Sequence, residues 1–371
     1  MISLVRALGG CSLLVLALAA TLGMLALGCG AEPIAGECAN EPGDVLHSAT
    51  YVDELAWPYQ PDQLVADADY VYFADGRGIH RVARCGGPAE LLIADARPFN
   101  DGLALADGRL YWLAGDDGVD GPRVQRASSE GGPVETLAVY EGYSHQLRVD
   151  GGVVVWNASV SGFPDESRLL AVSVEGGTPE LLAAHRYGWS FDLADGVVYA
   201  AGYLPGSDPA SSDRVLFALP ADGGVPEVLA DGFGDEYPSN PVVGGEYVYY
   251  LRRWSSDPLA VERVARAGGP IEPLGIVDPN ALDHLLHTGD ALYGVEIDGE
   301  PVRLEPGAAP IPLLPADSLA VASRAFADPL GLLVADSTTT CVETWTDPSG
   351  EPPGPTCVRE RVDVRVLWVG L

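Results

Sequence analysis

Apolar and polar positions along the chain recur as a unit, seen most fully in 110–137, LYWLAGDDGVDGPRVQRASSEGGPVETL. An apolar run is followed by a polar loop, a second run ending at a Gly-Gly pair, and a third run opening with Pro133. Short apolar or alternating runs bounded by Gly, Pro and Asp read as strands. In this copy an inner strand begins near Leu103 and ends at a tight Asp107-Gly108 turn. Further strands are expected over 110–114, 123–127 and 134–139.

The unit repeats. Aligned on the Gly-Gly turn, its copies fall at Gly86, Gly131, Gly176, Gly223 and Gly268, with a degenerate sixth at Gly307; the intervals are 45, 45, 47, 45 and 39. Aligned on the preceding apolar strand, they fall at Tyr72, Tyr111, Val155, Tyr199, Tyr249, Tyr293 and Leu333. Asp-Gly and Gly-Gly turns need positive φ and mark hairpins. Pro88, Pro133, Pro179, Pro226, Pro270 and Pro310 follow the Gly-Gly turns. A residue without an N–H belongs at a sheet edge, where it also discourages intermolecular pairing. A period of about 40–50 residues with four strands per copy is that of a β-propeller blade. The pattern predicts an all-β, seven-bladed propeller of four-stranded antiparallel blades. The alternative is six blades plus an appended hairpin, because the sixth copy is degenerate and the last carries an insertion.

The recurring text, DGVVYAAG followed by RVLFALPADGGVPEVLA, resembles the bacterial TolB-type and YWTD-type propeller repeats. The resemblance runs over roughly 63–371 and implies a fold but no activity, so function has to be argued from sites.

Ahead of the repeats, Arg6 is followed by an apolar run from Leu13 to Leu27, short for a membrane span and suited to a secretory signal. It ends in Leu25-Ala26-Leu27-Gly28-Cys29, which resembles a bacterial lipoprotein cleavage box with Cys29 as the lipidated residue. The domain expectation is a signal over 1–28, a small polar tether over 29–43 and the propeller over 44–371, with part of 44–60 supplying an outer strand that closes the ring. The chain is then exported and anchored by lipid alone, in the periplasm or at an outer-membrane surface.

The formal net charge is −32, and every basic residue is Arg. So acidic a surface argues against nucleic acid and against direct adhesion to anionic lipid. With no Lys there is no Schiff-base chemistry, no phosphate-binding P-loop and no Ser-Lys dyad. Outside the signal and the anchor the cysteines are Cys38, Cys85, Cys341 and Cys357, an even number that reads as two disulfides in an exported protein. Cys341 and Cys357 flank a Pro-Gly-rich insertion and are the expected pair, leaving Cys38 with Cys85.

Candidate chemistry concentrates on one face. The Asp-Gly and Gly-Gly turns on one side are minimal, whereas the other side carries loops expected to be long, over 157–168, 200–214 and 252–262. Aromatics from successive copies, Tyr143, Tyr187, Trp189, Tyr237 and Trp254, are expected there as partner-binding residues. Asp101, His145, Asp283 and His284 are placed by the repeat at the channel mouth, with Gln146, Ser190 and Asn240 beside them. Such a ring suits a polar ligand, or Ca²⁺ if any ion, and no other cofactor is expected. No nucleophile elbow or convergent acid-base pair is legible, so no catalytic residue is assigned. The reading is an envelope-anchored binding or scaffold propeller that engages a protein or glycan through its long-loop face. Its rival is a polysaccharide lyase or hydrolase using the acids at the channel mouth.

Overall fold

The computed structural model describes residues 44–53, 64–75, 77–96, 98–115, 121–160, 166–185, 190–205, 214–254, 257–276, 282–288, 291–296, 301–313, 322–328, 331–345 and 356–370, and among these described residues strands are the only regular elements. The first is β1 (Asp44–Asp53). Runs of four then follow: β2 (Leu64–Ala66), β3 (Tyr70–Asp75), β4 (Gly78–Ala83) and β5 (Glu90–Ala94), then β6 (Pro98–Ala106), β7 (Arg109–Ala114), β8 (Arg123–Ser128) and β9 (Glu135–Val139). After these come β10 (Tyr143–Asp150), β11 (Val153–Val160), β12 (Glu166–Ser173) and β13 (Glu180–His185), and β14 (Ser190–Ala194), β15 (Val197–Tyr203), β16 (Arg214–Pro220) and β17 (Glu227–Ala230). Next are β18 (Tyr237–Gly244), β19 (Tyr247–Trp254), β20 (Asp257–Ala265) and β21 (Glu272–Pro273), then β22 (Leu282–Thr288), β23 (Ala291–Glu296), β24 (Pro301–Leu304) and β25 (Ile311–Pro312). The chain ends with β26 (Ala322–Asp328), β27 (Gly331–Trp345) and β28 (Thr356–Gly370).

Among the described residues these strands form six hydrogen-bonded sheets, which corrects the expected seven and matches the alternative count. Four are single runs, β2–β5, β14–β17, β18–β21 and β22–β25. A fifth is β26-β27-β28 with β1 from the other end of the chain as its outer strand. The sixth is of double width, because the run β6–β9 and the run β10–β13 are joined through their inner strands. The joint is a parallel pairing of Asp101 with Gln146. Its cause is local: β10 bulges between Ser144 and Gln146, and the Gln146 N–H turns to the Asn157 side chain at 2.9 Å. A bulge re-aims a strand and frees ladder groups; here it brings two inner strands within pairing reach.

Both faces of most sheets are buried, and this explains the unbroken apolar runs. In β7, Tyr111 joins one core cluster with Leu147, Val154 and Trp156 of the following run. Its neighbour Trp112 faces the other way, into a cluster with Tyr72, Ile79 and Ile93 of the preceding run. Successive strand residues point to opposite faces, so a strand covered on both sides, such as β7, is apolar at nearly every position. The core lies between the sheets. Leu46 of β1 packs on Leu64, Val71, Phe73 and Val82, which closes the ring between the chain's two ends.

The turns behave as their residues demand. Asp107 and Gly108 both hold positive φ, 49° and 68°. The Gly176-Gly177 turn reaches the outer strand of the preceding run, where the Gly177 N–H donates to the Leu137 carbonyl at 3.1 Å. Arg side chains on third strands add to this seam. Arg81 pairs with Glu90 on its own outer strand at 2.9 Å and with Glu130 of the next run at 2.8 Å. Arg126 repeats the arrangement with Glu135 at 2.8 Å and Glu175 at 3.8 Å.

The expected long loops are shorter than the sequence implies. Residues 157–160 and 252–254 continue β11 and β19, and β20 begins at Asp257. Strand pairing carries these polar positions outward because cross-strand partners satisfy their backbone groups.

On the cysteines, Cys85 is disulfide-bonded. The β27–β28 register sets Cys341 opposite Glu360 and Cys357 opposite Thr344, three positions apart along the ladder. A direct Cys341–Cys357 bond would need that ladder to slip, since a disulfide spans Cα atoms only about 4.4–6.8 Å apart. Cys29 and Cys38 lie outside the described residues. Among the described residues no helix is long and apolar enough to cross a membrane.

Candidate partner-binding site

Strand ends and crossings place the candidate residues. The crossing from β17 to β18 turns at Phe233, whose carbonyl accepts from the Glu236 N–H at 3.1 Å. Phe233 is held in the core edge-on against Tyr250, with ring centroids 6.0 Å apart. Beside this crossing, the β19–β20 hairpin raises Arg252 and Trp254. Together Phe233, Asp235, Glu236, Arg252 and Trp254 line a cavity of about 460 Å³.

Charge in this cavity is organised by Arg252. Its guanidinium is ion-paired with Glu236 and reaches Glu262 at 3.1 Å. Glu262 is itself buried and accepts from the Tyr250 hydroxyl at 2.9 Å. Burial opposes the Arg252 charge, but hydrogen bonds and attraction from Glu262, then Glu236, outweigh it and hold its pKa above the ordinary value. Burial, with Glu262 nearby, likewise pushes the Tyr250 hydroxyl well up. Arg252 is thus neutralised within the fold, and Asp235 adds a further carboxylate at the rim.

The predicted aromatics divide. Trp254 is 59% exposed and Tyr143 is 62% exposed at the start of β10. Tyr237 is committed elsewhere: the Arg214 guanidinium stands 4.1 Å from its ring centroid, a cation–π contact joining β16 to β18. Tyr187 and Trp189 lie outside the described residues.

The mouth residues turn out to fasten inner strands to one another. The Gln146 side chain donates to the Phe191 carbonyl at 2.7 Å and accepts from the Phe191 N–H at 3.3 Å. Ser190 Oγ accepts from the Asn240 N–H at 2.9 Å, and Asn240 Nδ2 donates to the Asp283 carbonyl at 2.7 Å. Asp150 and Asp192, further along the same strands, accept from Gly196 N–H and Val243 N–H at 3.0 and 2.9 Å. The Asp283 side chain is exposed and lies 3.4 Å from His284 Nδ1. Asp101 and His145 sit on β6 and β10, and their side chains lie outside the described ones. Among the described residues no group of three His, Cys, Asp or Glu side chains is placed to hold a metal.

Sequence reasoning missed Asp235, Glu236 and Arg252, which carry no motif. It also missed a buried pair, His80 Nε2 and Asp75 Oδ1 at 2.9 Å, under the stacked ring of Phe73. Asp75 Oδ1 also accepts from the N–H groups of Arg77 and Gly78 at 2.8 and 3.2 Å, so this carboxylate shapes the β3–β4 turn.

No protein-family model matches the chain, and no curated protein matches it. Solved structures do. One chain of a nidogen/laminin complex aligns at 17% identity and TM-score 0.44, over 64% of this chain and 89% of that one. A computationally designed protein, Ika8, aligns at 13% identity and TM-score 0.47, over 83% of each chain. A puromycin-hydrolysing peptidase of Mycobacterium tuberculosis aligns at 13% identity and TM-score 0.52, over 80% of this chain and 52% of that one. The chain therefore spans about half of that peptidase. At such identities the likeness is one of fold, and together with the sheet topology it establishes the chain as an all-β propeller of four-stranded antiparallel units.

Proposed function

We propose that this chain is a non-enzymatic binding or scaffold propeller, held at a bacterial envelope by lipid on Cys29, that engages a protein or glycan partner through the face carrying Trp254 and Tyr143. The observation that supports it is the cavity of about 460 Å³ floored by Phe233 and edged by the exposed Trp254. Its size falls within the range of small-ligand and anchor pockets, and an exposed Trp beside polar groups has the composition of a binding hot spot. The mouth residues favour binding over catalysis, because Gln146, Ser190 and Asn240 are spent on backbone groups of neighbouring strands. Tyr187 and Trp189 belong to the same face by repeat position. Cys38 is the proposed partner of Cys85.

The test compares faces. Wild type, Trp254→Ala and the tight-turn-face variant Val225→Ser are used to capture partners from envelope extract, and melting is followed in parallel. Trp254→Ala should lose the retained species with its melting temperature unchanged, while Val225→Ser should retain them. Equal capture by all three would overturn the reading. Turnover of an envelope glycan that vanishes in Asp101→Asn or Asp283→Asn would replace it with the enzyme rival.

A further inference from the structure

We infer that the cavity beside Trp254 takes a cationic side chain, a guanidinium or ammonium presented by a basic segment of a protein partner. The inference rests on the binding reading above and names the class of partner.

Three observations converge on a cation. First, the charge in the cavity is unbalanced. Arg252 is matched by Glu236 and by the buried Glu262, so its one positive charge faces two carboxylates before Asp235 is counted. Asp235 makes no ion pair among the described residues and is exposed at the rim. Second, the Trp254 ring is 59% exposed, and among the described residues no cation stands over it. An indole face is the best aromatic surface for a cation, and a carboxylate at its edge adds a charge-assisted hydrogen bond. Third, the fold already uses this combination internally. Arg263 stands 4.0 Å from the Tyr247 ring centroid while pairing with Glu272 at 2.8 Å. Arg81 stands 4.6 Å from the Tyr70 ring centroid while pairing with Glu90 and Glu130. In those places the arginine comes from the chain itself; at Trp254 and Asp235 the aromatic and the acid are present and the cation is left to a partner. The long-range field points the same way, since a net charge of −32 draws basic segments toward the surface before contact.

The probe is the peptide acetyl-Gly-Arg-Gly-Arg-Gly-amide, titrated calorimetrically into the full chain, with the Gln-for-Arg peptide and a neutral tetrasaccharide as comparisons. The Arg peptide should bind, and binding should weaken about tenfold or more in both Trp254→Ala and Asp235→Asn. Glu180→Gln, which removes one exposed acid on β13, corrects for general attraction to an acidic protein and should bind as wild type does. Loss of affinity in Glu180→Gln as large as in Asp235→Asn would mean diffuse attraction and overturn the inference. So would binding of the tetrasaccharide, dependent on Trp254, in place of the peptide. If Trp254→Ala abolishes capture from envelope extract yet the Arg peptide does not bind, the cation inference falls and the binding reading stands.

Discussion

Gln146 and Phe191, on the inner strands of successive runs, are joined by two hydrogen bonds. The Gln146 amide donates to the Phe191 carbonyl at 2.7 Å and accepts from its N–H at 3.3 Å. One side chain therefore does between sheets what a ladder rung does within one. Gln146→Leu should cost about 2 kcal/mol, because it leaves two backbone groups without these partners at a half-buried seam. Urea unfolding measures this, and an unchanged midpoint would show that water replaces both bonds at no cost.

Gly244 and His287 form a second seam with the opposite chemistry. A Cβ on Gly244 would stand 2.2 Å from His287 Cδ2, and the imidazole is itself stacked on Tyr249 with ring centroids 5.6 Å apart. Gly244→Ala should therefore destabilise by about 2–3 kcal/mol through overpacking. Adding His287→Ala should recover part of that loss. Additive behaviour of the two changes would show that the clash is relieved elsewhere.

Buried tyrosines set an alkaline limit. Burial pushes Tyr140 up to about 12, with the Ser144 hydroxyl pulling weakly the other way. Burial likewise raises Tyr72 and Tyr250, helped by Asp67 and Glu262 respectively. A folded pKa above the unfolded value near 10 means stability that is complete below about pH 10 and lost as pH rises through the folded value. Phenolate absorbance should accordingly show a subset of the 15 tyrosines titrating only as the chain unfolds between about pH 10 and pH 12. A single reversible step near pH 10 for all of them would contradict the burial.

The anchor is testable apart from the propeller. In a bacterial expression host fed labelled palmitate, Cys29→Ser should lose the label and leave the membrane fraction. The propeller should be unaffected, since Cys29 precedes β1 in the sequence. Equal labelling of variant and wild type would remove lipidation from the proposal.

What the sequence determined by itself was local. Positive φ at Asp107-Gly108 and at the Gly-Gly pairs is a property of the residues at those positions, so turns, strand order and repeat period were all legible. An outer strand within 44–60 was legible too, because Val45, Leu46 and Tyr51 make that stretch too apolar for a linker. Tertiary structure decided whatever depends on a partner far along the chain. The count of sheets turned on one bridge between Asp101 and Gln146, which a bulge allows and periodicity does not encode. Gln146, Ser190 and Asn240 read as ligand-facing polar residues, yet each bonds a strand more than 40 residues away. Trp112, Trp156 and Trp254 are tryptophans on the second strands of three copies. The first two, one place past Tyr111 and Val155, are fully buried between sheets, and the third, the last residue of β19, is open to solvent. Burial is a property of what packs against a side chain, and only the assembled ring supplies that.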